Sequence, residues 1–264
     1  MIAGQIHAVI AAGLKEPALL ARWQEAPELL RQYGIEPGAF DLGALWKFAG
    51  LTTKVRHNGL RADIPQTFRL LNITGLEIEV FGAYATFHAA KNFGPTVQAR
   101  IDDLLVFLER WLDFDKLEHA LLWDLIRHEA ALARLRTLEN ISGSQIGTLV
   151  SRRRPRLSSV PRLSGDVILH EMRSDPRVIE TILRHKDPKL EQVPLATSYF
   201  GYWHFQGEVY VLELDALGFY LLFTIDGTRS AADLGGLIGA SPELPGGLLK
   251  SLGDLADIGI ITFD

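Results

Sequence analysis

The apolar residues of this chain change period near its middle. In the first half they recur at three- and four-residue intervals. In Tyr199–Phe205 and Val209–Leu214 they follow the two-residue alternation of paired strands. A helix and a strand demand these two different spacings, so one chain carrying both in separate halves reads as two regions with separate cores. The length of 264 residues accommodates two domains.

Pro17 can open a helix carrying Leu19, Leu20 and Trp23, and Pro27 restarts it until Gly34 stops it. A further helix is expected from Glu36 to about Phe48, with Phe40, Leu45, Trp46 and Phe48 on its apolar side. The polar stretch Thr52–Ala62 has no period and reads as a loop. Pro65 opens a long helix with Ile73, Leu76, Val80, Ala83 and Phe87 at helical spacing, ended by Gly94-Pro95. Asp102 and Asp103 lead the next, and the last runs from Asp115 to about Leu138. Residues 1–139 are thus expected to form a helical bundle.

Residues 140–165 are rich in Ser, Gly, Pro and Arg and read as a linker over the surface. Its Arg152–Arg156 run is either a solvated loop or a hold for an acidic partner or phosphate. Residues 166–264 make the second domain. Val167-Ile168-Leu169 begins a strand and Asp175-Pro176 opens a short helix. Tyr199–Phe205 and Val209–Leu214 form a hairpin around Gly207. Asp215 caps a helix, Ser230 and Asp233 form a capping box, Pro245 opens the last helix, and Ile260–Phe263 closes as a strand. The fold class expected is α+β, mainly helical, with a C-terminal winged helix-turn-helix.

The chain contains no Cys, which excludes disulfides, thiolate metal sites and a Cys nucleophile. The net charge of −5 disfavours general binding of nucleic acid. No apolar stretch is long enough for a membrane span, and the N-terminus lacks a basic front and a cleavage site, so a cytoplasmic protein is expected. No phosphate loop, nucleophile elbow or H-E-x-x-H motif is present. His119, Asp124, His128 and Glu129 share one helix. His119 and His128 are nine residues apart, half a turn out of phase, so they cannot aim at one ion. Asp124 and His128 share a face, either as a hydrogen-bonded core pair or as ligands of a metal. The aromatics from Tyr199 to Tyr210 can serve as a stacking platform, or divide between the core and cross-strand pairing.

The segment Glu208–Asp264 resembles the PqqD-like recognition element of ribosomal peptide-modification pathways. The matching features are Glu213-Leu214-Asp215, the aromatic helix, Asp226-Gly227-Thr228-Arg229-Ser230, and Leu255-Ala256-Asp257-Ile258-Gly259-Ile260. A helical half joined to such an element resembles the TglI- and MbnC-like partner subunits of multinuclear non-haem iron oxidative enzymes. That resemblance implies an accessory subunit that is not itself an enzyme. It would bind the leader of a precursor peptide and form a heterodimer with an iron-dependent TIM-barrel enzyme. The chain itself would hold no cofactor or metal, and the iron would sit in the partner.

Peptide binding is expected on the strand residues Val209, Tyr210, Val211, Leu212 and Glu213. The helix residues Leu248, Leu252 and Leu255 would form the other wall. Gly246, Gly247 and Gly253 would allow close approach of the peptide backbone. Neither nucleic acid nor a membrane is expected as a partner. The alternative is a winged-helix transcriptional regulator reading DNA through Gly246–Asp257, a segment with one Lys and two Asp. A stand-alone helical enzyme using Asp124 and His128 is a third reading beside the accessory subunit and the regulator.

Overall fold

The computed structural model describes residues 2–39, 41–87, 96–142, 154–237 and 245–263. It is mainly helical with small antiparallel sheets, an α+β protein. The chain divides into two compact units, Met1–Ala130 and Ala131–Asp264.

The first unit begins with α1 (Ile2–Lys15) and α2 (Pro17–Glu25), then a 3-10 turn Pro27–Tyr33 and α3 (Leu42–Arg56). Val9, Leu20, Trp23, Leu30, Ile35, Leu45 and Ala49 from these elements form one buried cluster. Burial of each such large side chain contributes about 1.5–3 kcal/mol. The short α4 (Asn58–Arg61) leads into α5 (Pro65–Thr74), α6 (Leu76–Phe87), α7 (Val97–Trp111) and α8 (Leu117–Ser142). The division between the units falls inside α8.

Four expectations about this unit are corrected. The helix expected from Glu36 starts at Leu42, because Asp41 accepts the N–H of Ala44 at 2.9 Å and caps it there. Phe40 lies outside the described residues. Thr52–Ala62 is not a loop: α3 continues to Arg56 and α4 follows, anchored by buried Leu60. A polar stretch satisfies its backbone in a helix as well as an apolar one does, provided buried residues flank it. The single helix opened by Pro65 is two, since Gly75 takes φ +76° and ends α5; the expected stop at Gly94-Pro95 lies outside the described residues. Finally, α7 begins before Asp102, where Thr96 Oγ accepts the N–H of Ala99.

The second unit holds β1 (Pro161–Leu163), β2 (Ile168–Met172), α9 (Pro176–Leu183), β3 (Ser198–Phe205) and β4 (Glu208–Leu214). After these come α10 (Ala216–Thr224), α11 (Ala231–Leu237), α12 (Pro245–Asp257) and β5 (Ile261–Phe263). One antiparallel sheet has the order β2-β3-β4, and β1 pairs with β5 in another. The stretch read as a linker therefore contributes a strand. Its Leu157 and Ser159 carbonyls also accept the N–H groups of Ala232 and Ala231 at the start of α11. The local caps form as expected. Asp175 accepts from Arg177 N–H, Asp215 from Gly218 N–H, and Ser230 and Asp233 exchange the two bonds of a capping box.

The three-stranded sheet is covered on both faces. Trp203, Leu212, Leu214 and Leu169 pack with Leu221, Leu222, Leu234, Leu252 and Ile260. The other face carries Phe200, Tyr202 and Met172, which pack against Ala131 and Leu135 at the end of α8. The hairpin aromatics thus divide between these cores, and Trp203 stacks across the strands on Tyr210 at 5.4 Å.

Candidate peptide-binding edge

Register decides what β4 can offer. Phe205 pairs with Glu208, so the hairpin loop is Gln206-Gly207, and both residues have positive φ, 52° and 84°. That is the primed turn whose twist suits a two-residue hairpin, and its closing pair is hydrogen-bonded. Bonded and non-bonded pairs alternate from there. Glu208, Tyr210, Leu212 and Leu214 therefore bond to β3, while Val209, Val211 and Glu213 turn their N–H and C=O groups away from it. Among the described residues β4 pairs with β3 alone, so these three peptide groups line an unpaired edge.

Side chains follow the same alternation. Leu212 enters the helical core, and Tyr210 lies on that face against Trp203. Val209 packs on the other core. Val211 is exposed, and Glu213 forms an ion pair with Arg177. The Arg177 guanidinium also bonds Asp175 at 2.6 Å and lies 5.0 Å over the Phe200 ring. The start of α9 is thereby fastened to β4. Those carboxylates, Asp175 foremost, raise the Arg177 pKa further above its ordinary value.

The helix expected as the other wall is placed differently. Leu252 is fully buried in the core, and Leu248 and Leu255 are half-buried against the same cluster. The stripe Leu248–Leu252–Leu255 is therefore mainly core, because a lone α12 must bury its apolar side to hold the sheet. Gly246 and Gly247 face open space, whereas Pro155 packs 3.7 Å from where a Cβ of Gly253 would stand. Of the expected site, the strand residues lie together on β4, whereas Leu248 and Leu255 pack against the helical core.

The histidine-bearing helix is occupied with structural tasks. His119 Nδ1 accepts the N–H of Asp113 at 3.0 Å, and its ring stacks on Trp111. Glu129 accepts the N–H groups of Gln66 and Thr67 at 2.9 and 2.7 Å, so its buried carboxylate caps α5. Asp124 and His128 are buried. Among the described residues no group of three or more His, Asp or Glu is arranged to hold a metal ion. An open groove of about 540 Å³ runs along α5, lined by Arg61, Gln66, Phe68, Arg69 and Asn72. Its Arg61 is ion-paired with Glu77 and lies over Phe68. Among the described residues no helix is long and apolar enough to cross a membrane.

Comparison of the sequence with protein-family models and with curated proteins finds no match to either.

Proposed function

We propose that this chain is a non-catalytic accessory subunit of peptide natural-product biosynthesis. It binds the leader of a ribosomally made precursor peptide and presents it to an iron-dependent TIM-barrel oxidative enzyme. Its second unit acts as a winged-helix, PqqD-like recognition element. The observation that carries the reading is the β4 edge. Three alternate peptide groups, at Val209, Val211 and Glu213, face outward beside a sheet whose faces are already covered. An extended peptide gains main-chain hydrogen bonds there and reads side chains by alternation.

The chemistry of the edge narrows the peptide. On one side its residues lie beside Tyr210 and Leu212, which favour apolar partners. On the other they lie beside Val211 and the Glu213 carboxylate, which Arg177 already engages. The DNA-reading alternative would rest on α12, whose only cation is Lys250, beside exposed Asp254 and Asp257. A phosphate-lined groove disfavours that charge pattern.

The test is fluorescence anisotropy of a labelled synthetic leader from the precursor gene nearest this one, titrated with the full chain. Saturable binding at micromolar concentration or tighter is expected. Absence of binding together with retention of a DNA duplex in a gel shift would replace this reading with the regulator.

A further inference from the structure

The helix α10 is apolar around its whole circumference: from Ala216 to Ile225 it carries no charged residue. Its Phe219, Leu221 and Leu222 are buried. Its Leu217, Tyr220 and Phe223 remain 56, 49 and 70% exposed. A helix apolar on all sides is ordinarily buried on all sides. Buried Phe219 joins the exposed rings into one cluster. Phe219 stacks with Phe223 at 6.3 Å, meets Tyr220 edge-on at 5.6 Å, and lies 4.8 Å from Tyr199 of β3. Such a patch marks a contact surface rather than scattered apolar exposure.

Charge at the margin indicates what covers it. Asp215 and Asp226 bracket the helix, and Glu171 pairs across the strands with Tyr199. Of the cations at this margin, Arg229 is engaged by Asp226 at 3.4 Å and by the Thr224 carbonyl at 3.2 Å, and the Arg162 side chain lies against Gly227. We propose that this face of α10 docks a protein partner whose apolar contact surface is rimmed by Lys and Arg. The partner is the oxidative enzyme of the reading above, on which this inference rests. A second copy of the chain would set these acids against themselves, and each copy carries a net charge of −5. Nucleic acid and anionic lipid surfaces meet the same repulsion.

The experiment titrates the full chain into the purified iron enzyme encoded beside it, by calorimetry at low and high salt. The leader titration and sedimentation of the chain alone run in parallel. Two variants are compared with wild type: the double change Leu217→Ser with Phe223→Ser, and Phe223→Lys, which sets a cation against the basic rim. Both alter exposed side chains, so thermal midpoints within a few degrees of wild type are expected. Enzyme affinity should fall at least about tenfold in each variant, as for a buried aromatic anchor. Leader affinity should be unchanged, and wild-type enzyme binding should weaken with salt. Unchanged enzyme affinity in both variants overturns this inference and leaves the leader reading standing. A wild-type chain that binds the leader and not the enzyme has the same consequence, and one that binds neither overturns both. A wild-type dimer dissolved by the double change assigns the face to a second copy and overturns the inference.

Discussion

The indole N–H of Trp203 donates to the carbonyl oxygen of Ile258 at 3.1 Å, fastening β3 to the turn that leads α12 into β5. That turn is a Schellman cap: Ile260 N–H bonds the Leu255 carbonyl and Gly259 N–H bonds that of Ala256. The sheet is thus held at β3 by a bond 55 residues long in sequence. Trp203→Phe removes the donor and leaves a carbonyl without it, at a cost of about 1–2 kcal/mol. Urea unfolding followed by circular dichroism should show the loss.

Gly259 is the tightest point of this arrangement. Its φ is +76°, and a Cβ there would stand 2.3 Å from the Phe205 ring. Gly259→Ala combines left-handed strain with displacement of that ring, together about 2–4 kcal/mol. A thermal midpoint within two degrees of wild type would contradict the packing described.

Glu129 joins α8 to the start of α5 through two backbone N–H groups. Glu129→Ala removes the acceptor of a buried and a part-buried donor and should cost about 2–4 kcal/mol. Glu129→Gln keeps one acceptor and should cost less. Equal stability of the two variants, by denaturant midpoint, would argue against the cap.

Tyr84 supplies a pH dependence. Burial, with the nearby Asp103 charge, pushes its phenol up to about 12. A raised folded pKa means that the contribution is complete below the unfolded value of about 10 and disappears as pH rises toward 12. The size is about 2–3 kcal/mol. Stability of the wild type should fall across pH 10–12, and Tyr84→Phe should flatten that limb. Parallel curves for the two proteins would contradict it.

Alternation along β4 predicts two unequal outcomes for proline. Val211 N–H faces the unpaired edge, so Val211→Pro should leave the ladder to β3 intact and cost less than about 1.5 kcal/mol. Leu212 N–H bonds to β3, so Leu212→Pro should cost about 3 kcal/mol or more. Equal destabilisation by the two would move the register.

Much of this was legible in the sequence because the signals are local. Asp175, Asp215 and the Ser230/Asp233 pair each cap a helix two or three residues away, and the Gly207 turn sits between alternating strands. The missed features are not local. Glu129 caps a helix 62 and 63 residues distant, and β1 finds its partner in β5 at the far end of the chain. Leu252 looked available on an amphipathic helix. Periodicity identifies an apolar side without saying whether a core or a ligand covers it. The division of Val209, Val211 and Glu213 from their neighbours needed the turn type, which composition alone leaves open.

Amide hydrogen exchange tests strand addition at β4 residue by residue. In the chain alone, the amides of Tyr210, Leu212 and Leu214 should exchange slowly, while those of Val209, Val211 and Glu213 exchange fast. With saturating leader peptide, the three fast amides should slow at least about tenfold. Slowing elsewhere with those three unchanged, while the peptide remains bound, would place the peptide away from β4.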